Sequence, residues 1–312
     1  YIIPKEGNNM KKKYQELFAV LIILFLYLGI FINPSLIIES GISSITLFKT
    51  KLFPSIFPFF ILASLSLELG IATKISNKLN PLFKRLFHIE GNSSFIILIS
   101  IISGFPSGSK YITESLKDKT IDNVTANYLL TFTHFANPLF ILGTCGLILH
   151  NLSLAYKILI IQIISNLILG IILRPKKTKT LKNIANYQNK TLLEALPKAI
   201  NDAIKLLLFM LGSITFFMFF SKLLTSFLSL NPFFETVITG ILDMTSGISL
   251  VPSINTTSYI RGLLVLTFIT FGSFSVHLQV LNNIKEENLE YKYFFFGRVI
   301  ETAIALLLYI LF

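Results

Sequence analysis

Long apolar runs alternate with short basic loops along this chain, and two of the runs stop in small polar residues before they are long enough to cross a bilayer. A spanning helix needs about 20 apolar residues, because each adds about 1.5 Å toward a hydrocarbon core of roughly 30 Å. Seven stretches meet that need: about 17–32, 52–69, 125–149, 154–173, 198–224, 259–281 and 292–312. Two shorter segments, 92–109 and 234–251, are interrupted and predict re-entrant hairpins that enter and leave on one side. The first breaks at Ser103-Gly104-Phe105-Pro106-Ser107-Gly108-Ser109, the second at Asp243-Met244-Thr245-Ser246-Gly247-Ile248-Ser249. An offset of 143 carries Pro54 onto Pro197 and Ser103-Gly104 onto Ser246-Gly247. Lipid cannot satisfy unwound backbone, so such breaks are tolerated only inside protein or beside a polar cavity. Broken segments at matching places in two halves point to the binding site of a secondary transporter.

Charge orients the pattern. With the amino terminus inside and each hairpin returning to its own side, the loops at 74–90, 110–119, 174–198 and 282–292 are cytoplasmic. Together with the amino-terminal lysines they hold 20 of the 27 basic residues, in keeping with the positive-inside rule. The same path runs the second half opposite to the first. The expected fold class is therefore an all-α polytopic membrane protein with about seven transmembrane helices plus two re-entrant hairpins, arranged as an inverted-topology repeat. Its expected parts are an amino-terminal span and amphipathic stretch (1–50), a first repeat (51–173) and a basic cytoplasmic linker (174–195), then a second repeat (196–281) and a peripheral carboxyl-terminal span (282–312). Met10-Lys11-Lys12-Lys13 reads as the start of a membrane protein, and 17–32 as a retained first span because no small-residue cleavage site follows. The segment 74–90, with basic residues between Ile75, Leu79, Leu82, Phe83, Leu86 and Phe87, reads as an interfacial amphipathic helix.

Composition agrees with a membrane setting: 53% of residues are hydrophobic, 14% are charged and the mean hydropathy is +0.71. The net charge of +11 lies in the short loops and implies no nucleic-acid partner. Cys145 is the single cysteine, which excludes an intrachain disulfide. No His-Glu-x-x-His, paired Cys/His or nucleotide loop is present, so no metal, no cofactor and no enzymatic activity are expected. The candidate substrate-binding residues are the polar and glycine positions at the breaks. In the hairpins these are Ser103, Gly104, Ser107, Gly108, Ser109, Ser246 and Gly247; in the spans they are His134, Asn137, Ser273 and Ser275. Glycine admits close backbone approach, and hydroxyls with free N–H groups make a nest for a carboxylate. Pro138 frees carbonyls one turn earlier that suit a substrate or a coupling cation. Polar groups inside spans also serve as helix–helix glue. Asp202 and Lys205 are spaced to pair on one helical face, and so are Arg298 and Glu301, a structural pair.

Ser-Gly-Phe-Pro-Ser-Gly-Ser-Lys at 103–110, Phe-Thr-His-Phe-Ala-Asn-Pro-Leu-Phe-Ile at 132–141 and Ser-Val-His-Leu-Gln-Val at 275–280, with Gly-Arg at 297–298, resemble the YlbJ family of sporulation integral membrane proteins. The resemblance extends from Met10 over nearly the whole chain. It implies a nucleoside-recognition gate domain, as in concentrative nucleoside transporters, and movement of dipicolinic acid from the mother cell toward the forespore. The partners it implies are a small-molecule carboxylate or a nucleoside, the lipid bilayer, and a coupling cation or proton. The location is the bacterial cell membrane, including the mother-cell-derived outer forespore membrane. A non-transporting scaffold in a sporulation complex is the alternative outside transport.

Overall fold

In the computed structural model of the protein, residues 6–89, 93–176 and 190–312 are described, without the side chains of 6–15, 72 and 73. The middle of the basic linker, Asn92 and the side chains of Lys11–Lys13 lie outside the described residues. Every element among the described residues is helical. Helix α1 (Glu6–Ile32) precedes α2 (Pro34–Leu47), which passes through a wide turn at Phe48–Leu52 into α3 (Phe53–Glu68). The segment Pro34–Glu68 is thus one continuous 35-residue helix, where a shorter span from 52 to 69 was expected. Neither Pro54 nor Pro58 ends it; the wide turn absorbs the backbone bond lost at Pro54. Helix α4 (Ile71–Phe87) is amphipathic: it buries Phe83 and Phe87 and leaves Lys74, Lys78, Lys84 and Arg85 exposed.

The core follows. Helices α5 (Ser93–Ser103) and α6 (Ser107–Lys117) form the first hairpin. The next span is broken: α7 (Asn123–Phe132) ends in an extended stretch at 133–137, and the chain resumes at Pro138 with a wide turn at Phe140–Cys145 and α8 (Gly146–Ile148). Helix α9 (Leu152–Ile172) closes the first half. The second half opens with α10 (Leu192–Leu228), 37 residues long, which lies along α2 and α3. Then come the second hairpin, α11 (Pro232–Leu242) and α12 (Met244–Leu250), a second broken span, α13 (Ser258–Phe271) and α14 (Ser273–Ile284), and finally α15 (Tyr291–Leu311). Side-chain caps mark the helix starts: Asp122, Asn151, Asn231, Asp243 and Thr257 each accept a bond from a backbone N–H three residues on.

The two halves match at an offset of 139, not 143. Residues 93–103 become 232–242, and 152–172 become 291–311, helix on helix with equal lengths. The same offset carries the start of α3 at Phe53 onto the start of α10 at Leu192, interior Pro58 onto interior Pro197, and Phe132 onto Phe271 at the two span breaks. Ser246-Gly247 therefore corresponds to Ser107-Gly108 and not to Ser103-Gly104. The last span, expected to be peripheral, is the counterpart of α9. It packs against α7, α9 and α13 and buries Phe294, Arg298 and Glu301.

Candidate functional site

Each hairpin folds back on itself at a small residue. The Gly108 Cα faces Ser100 of α5, and a Cβ there would also run into the Thr133 carbonyl of the broken span. In the second hairpin Gly247 touches the backbone of Gly240, leaving no room for a side chain. Gly104 holds φ at +75°, and a Cβ on it would come 2.5 Å from the Asn137 nitrogen. These glycines are contact points between elements.

The hydroxyls expected to form an anion nest are engaged inside the hairpin. Ser103 Oγ donates to the Ile99 carbonyl at 2.6 Å, and Ser107 Oγ bonds the Gly104 carbonyl and Ser103 Oγ. Ser109 Oγ donates to the Pro106 carbonyl at 2.8 Å and accepts from Asn283 of α14 at 2.9 Å. Ser246 Oγ donates to Asp243, and Ser273 Oγ to the Gly240 carbonyl. Lys110 lies 3.8 Å from Glu114 and 3.8 Å from Asp202 of α10, so Asp202 pairs across the structure and not with Lys205.

The break in the first span is satisfied by protein. Gln162 of α9 accepts from the Ala136 N–H at 3.0 Å and donates to its carbonyl at 3.1 Å, acting as a strand would. Asn137 uses its whole amide: Nδ2 donates to the Ile102 and Ser103 carbonyls, and Oδ1 accepts from the N–H groups of Leu139 and Phe140. The carbonyls freed before Pro138 receive a cation from within the chain. Arg298 donates to Thr131 at 3.0 Å, to His134 at 3.1 Å and, in the other broken span, to Thr270 at 3.4 Å. One guanidinium thus sits at the carboxyl ends of both half-helices, where the helix dipole favours positive charge. Glu301 and Asn166 complete the cluster, with Ser165 bonded to Glu301. Gly297 makes the approach possible, since a Cβ there would strike the Thr131 carbonyl.

His134 is buried among other side chains. It is 2% exposed, its ring stands edge-on to Phe294 at 4.6 Å, and neither nitrogen has a partner among the described residues. His277 is equally buried and bonds Tyr291 and the Phe271 carbonyl.

All four interruptions meet at one small cavity. Its wall comprises Phe105 and Met244 from the hairpin tips, Asn137 and Phe140 from the first broken span, and Ser275, Val276 and Gln279 from the second. Asp243 and Thr245 add to it from the second hairpin, with Leu52, Ile56, Met210 and Ile214 from the long helices. Three pairs in this wall are separated by 139 positions: Phe105 and Met244, Asn137 and Val276, Phe140 and Gln279. Equivalent residues of the two halves thus line one cavity. The lining is nevertheless two-sided in chemistry. Where the first half has Gly104, Ala136 and Phe140, the second has Asp243, Ser275 and Gln279. Of the expected site residues, Asn137 and Ser275 line the cavity. Its volume is about 20 Å3, room for about one water molecule. A larger groove of about 610 Å3 between α9 and α15 is apolar apart from Ser153, Tyr156 and Lys157 and holds none of the interruptions.

Two helical hairpins and two broken spans closing on a shared cavity define a polytopic integral membrane protein with an internally repeated core. The chain is 25% identical over 332 aligned residues, 94% of its own length and 81% of the relative's, to the sporulation integral membrane protein YlbJ of Bacillus subtilis (strain 168). That similarity supports a YlbJ-type membrane protein. No family model matches the chain, and no solved structure does.

Proposed function

We propose that the protein is a secondary transporter of a small polar or anionic metabolite, with dipicolinate as the leading substrate, in a conformation closed around its central site. The observation that carries this reading is the cavity whose wall is built from equivalent positions of the two halves. If each hairpin returns to the side it entered, two crossings, the first broken span and α9, separate α3 from α10, and the halves have opposite orientations. Inverted halves meeting at broken helices are the architecture of alternating access. The relative's name supplies the sporulation setting, and the resemblance supplies dipicolinate. The wall suits a flat ring with a polar edge: Phe105, Phe140 and Ile56 offer apolar surface, and Thr245, Ser275 and Gln279 offer polar groups. At about one water's volume the cavity must widen to admit such a ring, with α10 and the hairpins parting.

A nucleoside is the second reading, favoured by Asp243 as an acceptor for ribose hydroxyls in the same wall. Uptake of radiolabelled dipicolinate and of uridine into vesicles holding the purified protein decides between them. Saturable dipicolinate uptake that unlabelled uridine does not reduce is expected. The reverse order promotes the nucleoside. Uptake of neither by folded protein leaves a scaffold.

A further inference from the structure

A dicarboxylate entering this cavity meets another carboxylate. Asp243 is 1% exposed and is the only ionisable side chain among the described residues of the wall. Two unit charges 4 Å apart repel by about 4 kcal/mol at an effective dielectric of 20, so an anion needs a positive charge to accompany it. No Lys or Arg lines the cavity to supply it. Arg298 is committed to the broken-helix carbonyls and Glu301, and Lys110 to Glu114 and Asp202.

A second, independent feature points to what completes the wall. Gln279 is 2% exposed, and its Oε1 has no partner among the described residues. Its amide orientation follows from Ser213. That hydroxyl donates its one proton to the Met210 carbonyl at 2.9 Å, so it must accept from Gln279 Nε2 at 3.0 Å. The carbonyl end of the amide is therefore an oxygen without a donor, on a residue of the cavity wall. A buried amide oxygen in that state costs about 1–3 kcal/mol. The Thr245 and Ser275 hydroxyls belong to the same wall, and Asp243 takes bonds from Ser246 on Oδ1 and from the Ser275 hydroxyl and the Thr245 backbone N–H, leaving the Ser275 oxygen's lone pairs free to ligate.

We propose that this cavity is a binding site for a dehydrated monovalent cation of sodium's size, held by the Asp243 carboxylate, Gln279 Oε1 and the Thr245 and Ser275 hydroxyls. All the donors are hard oxygens, which suit alkali and alkaline-earth ions and not the softer transition metals. One carboxylate balances one positive charge, whereas calcium sites ordinarily gather more, and magnesium retains waters for which about 20 Å3 has no room. The ion neutralises Asp243 and satisfies Gln279 together; a proton on Asp243 would do only the first. The site deepens the transport reading by naming the coupling ion: its charge offsets that of an anionic substrate beside Asp243.

The test is thermal unfolding of the purified full-length protein in sodium, potassium or choline chloride at equal ionic strength. Sodium should raise the midpoint saturably above choline, and potassium should do so less. Asp243→Asn should abolish the sodium shift, and Ser275→Ala should raise the half-saturating concentration about tenfold, the loss of roughly 1.4 kcal/mol of binding. Should Asp243→Asn fail to elute as a single species on size exclusion, Ser275→Ala and Thr245→Val carry the test. Equal midpoints in all three salts for the wild-type protein, or stabilisation by acid without sodium preference, would overturn the site. So would variants that keep the wild-type response. Sodium binding without uptake of either labelled substrate preserves the site and removes the transport reading. Sodium-independent uptake does the opposite.

Discussion

Arg298 bears the consequences of two interrupted spans at once. It is 1% exposed and its guanidinium reaches carbonyls of α7, the extended stretch and α13, while Glu301 balances its charge. Removing one member of a buried ion pair leaves the other uncompensated, at about 3–5 kcal/mol. Arg298→Met should therefore reduce the amount of folded protein in the membrane severely. Arg298→Met combined with Glu301→Gln should lose less, because no buried charge remains. A double variant as impaired as the single one would show that the carbonyl contacts, and not the charge, set the cost. His134 makes the contrasting case. Its two nitrogens are buried without partners, so His134→Leu removes polar atoms that stabilise nothing. The unfolding midpoint of that variant should equal or exceed the wild-type value. A fall equivalent to more than about 1 kcal/mol would show that the imidazole has a role the contacts do not reveal.

At the scale of elements, glycines set how closely the hairpin arms approach. Gly247→Ala would force a methyl into Gly240 Cα, while Gly212 of α10 has nothing within 4 Å of a built Cβ. The first change should destabilise by more than about 1 kcal/mol and the second should be neutral or mildly stabilising, as read by unfolding midpoints. Equal effects would sink the close-approach account. The hairpins and broken spans were legible in the chain because Gly, Pro, Ser and Asn punctuate apolar runs too short to cross. Their register was not. Ser-Gly occurs at 103–104 and again at 107–108, one helical turn apart, and the pair at 246–247 matches either. Only the equal lengths of α5 and α11, and of α9 and α15, select the second. The continuity of α2 with α3 was hidden by Lys49 and Lys51, which stand just before the span expected at 52–69, until the wide turn at Phe48–Leu52 carries the helix through them. Asn137 and Ser275 were found because broken spans concentrate polar groups. Asp243 and Gln279 join them only when the hairpin folds back, and nothing in their spacing of 36 positions announces it. Arg298 and Glu301 read as a local pair because their bonds to α7 and α9 lie 132 to 167 positions away.

The whole molecule follows from what each half does with its breaks. Buried side chains satisfy the interrupted backbone of the first broken span, which lets it lie within the protein without water or lipid contact. At the centre the second half supplies Asp243, Thr245, Ser275 and Gln279, and the first supplies Phe105, Phe140 and Asn137. The transport proposed requires the site between the two halves to be exposed to each side of the membrane in turn. That alternation can be measured without knowing the substrate. With Cys145 replaced by serine, a single cysteine is placed at Thr245 in the cavity wall and, separately, at Ser153 at the start of α9. Each variant is treated with a membrane-impermeant thiol reagent from either side of oriented vesicles. The Thr245→Cys protein should react from both sides, slowly, and the Ser153→Cys protein from one side only. Reaction of Thr245→Cys from a single side, or from neither, would contradict alternating access through this cavity.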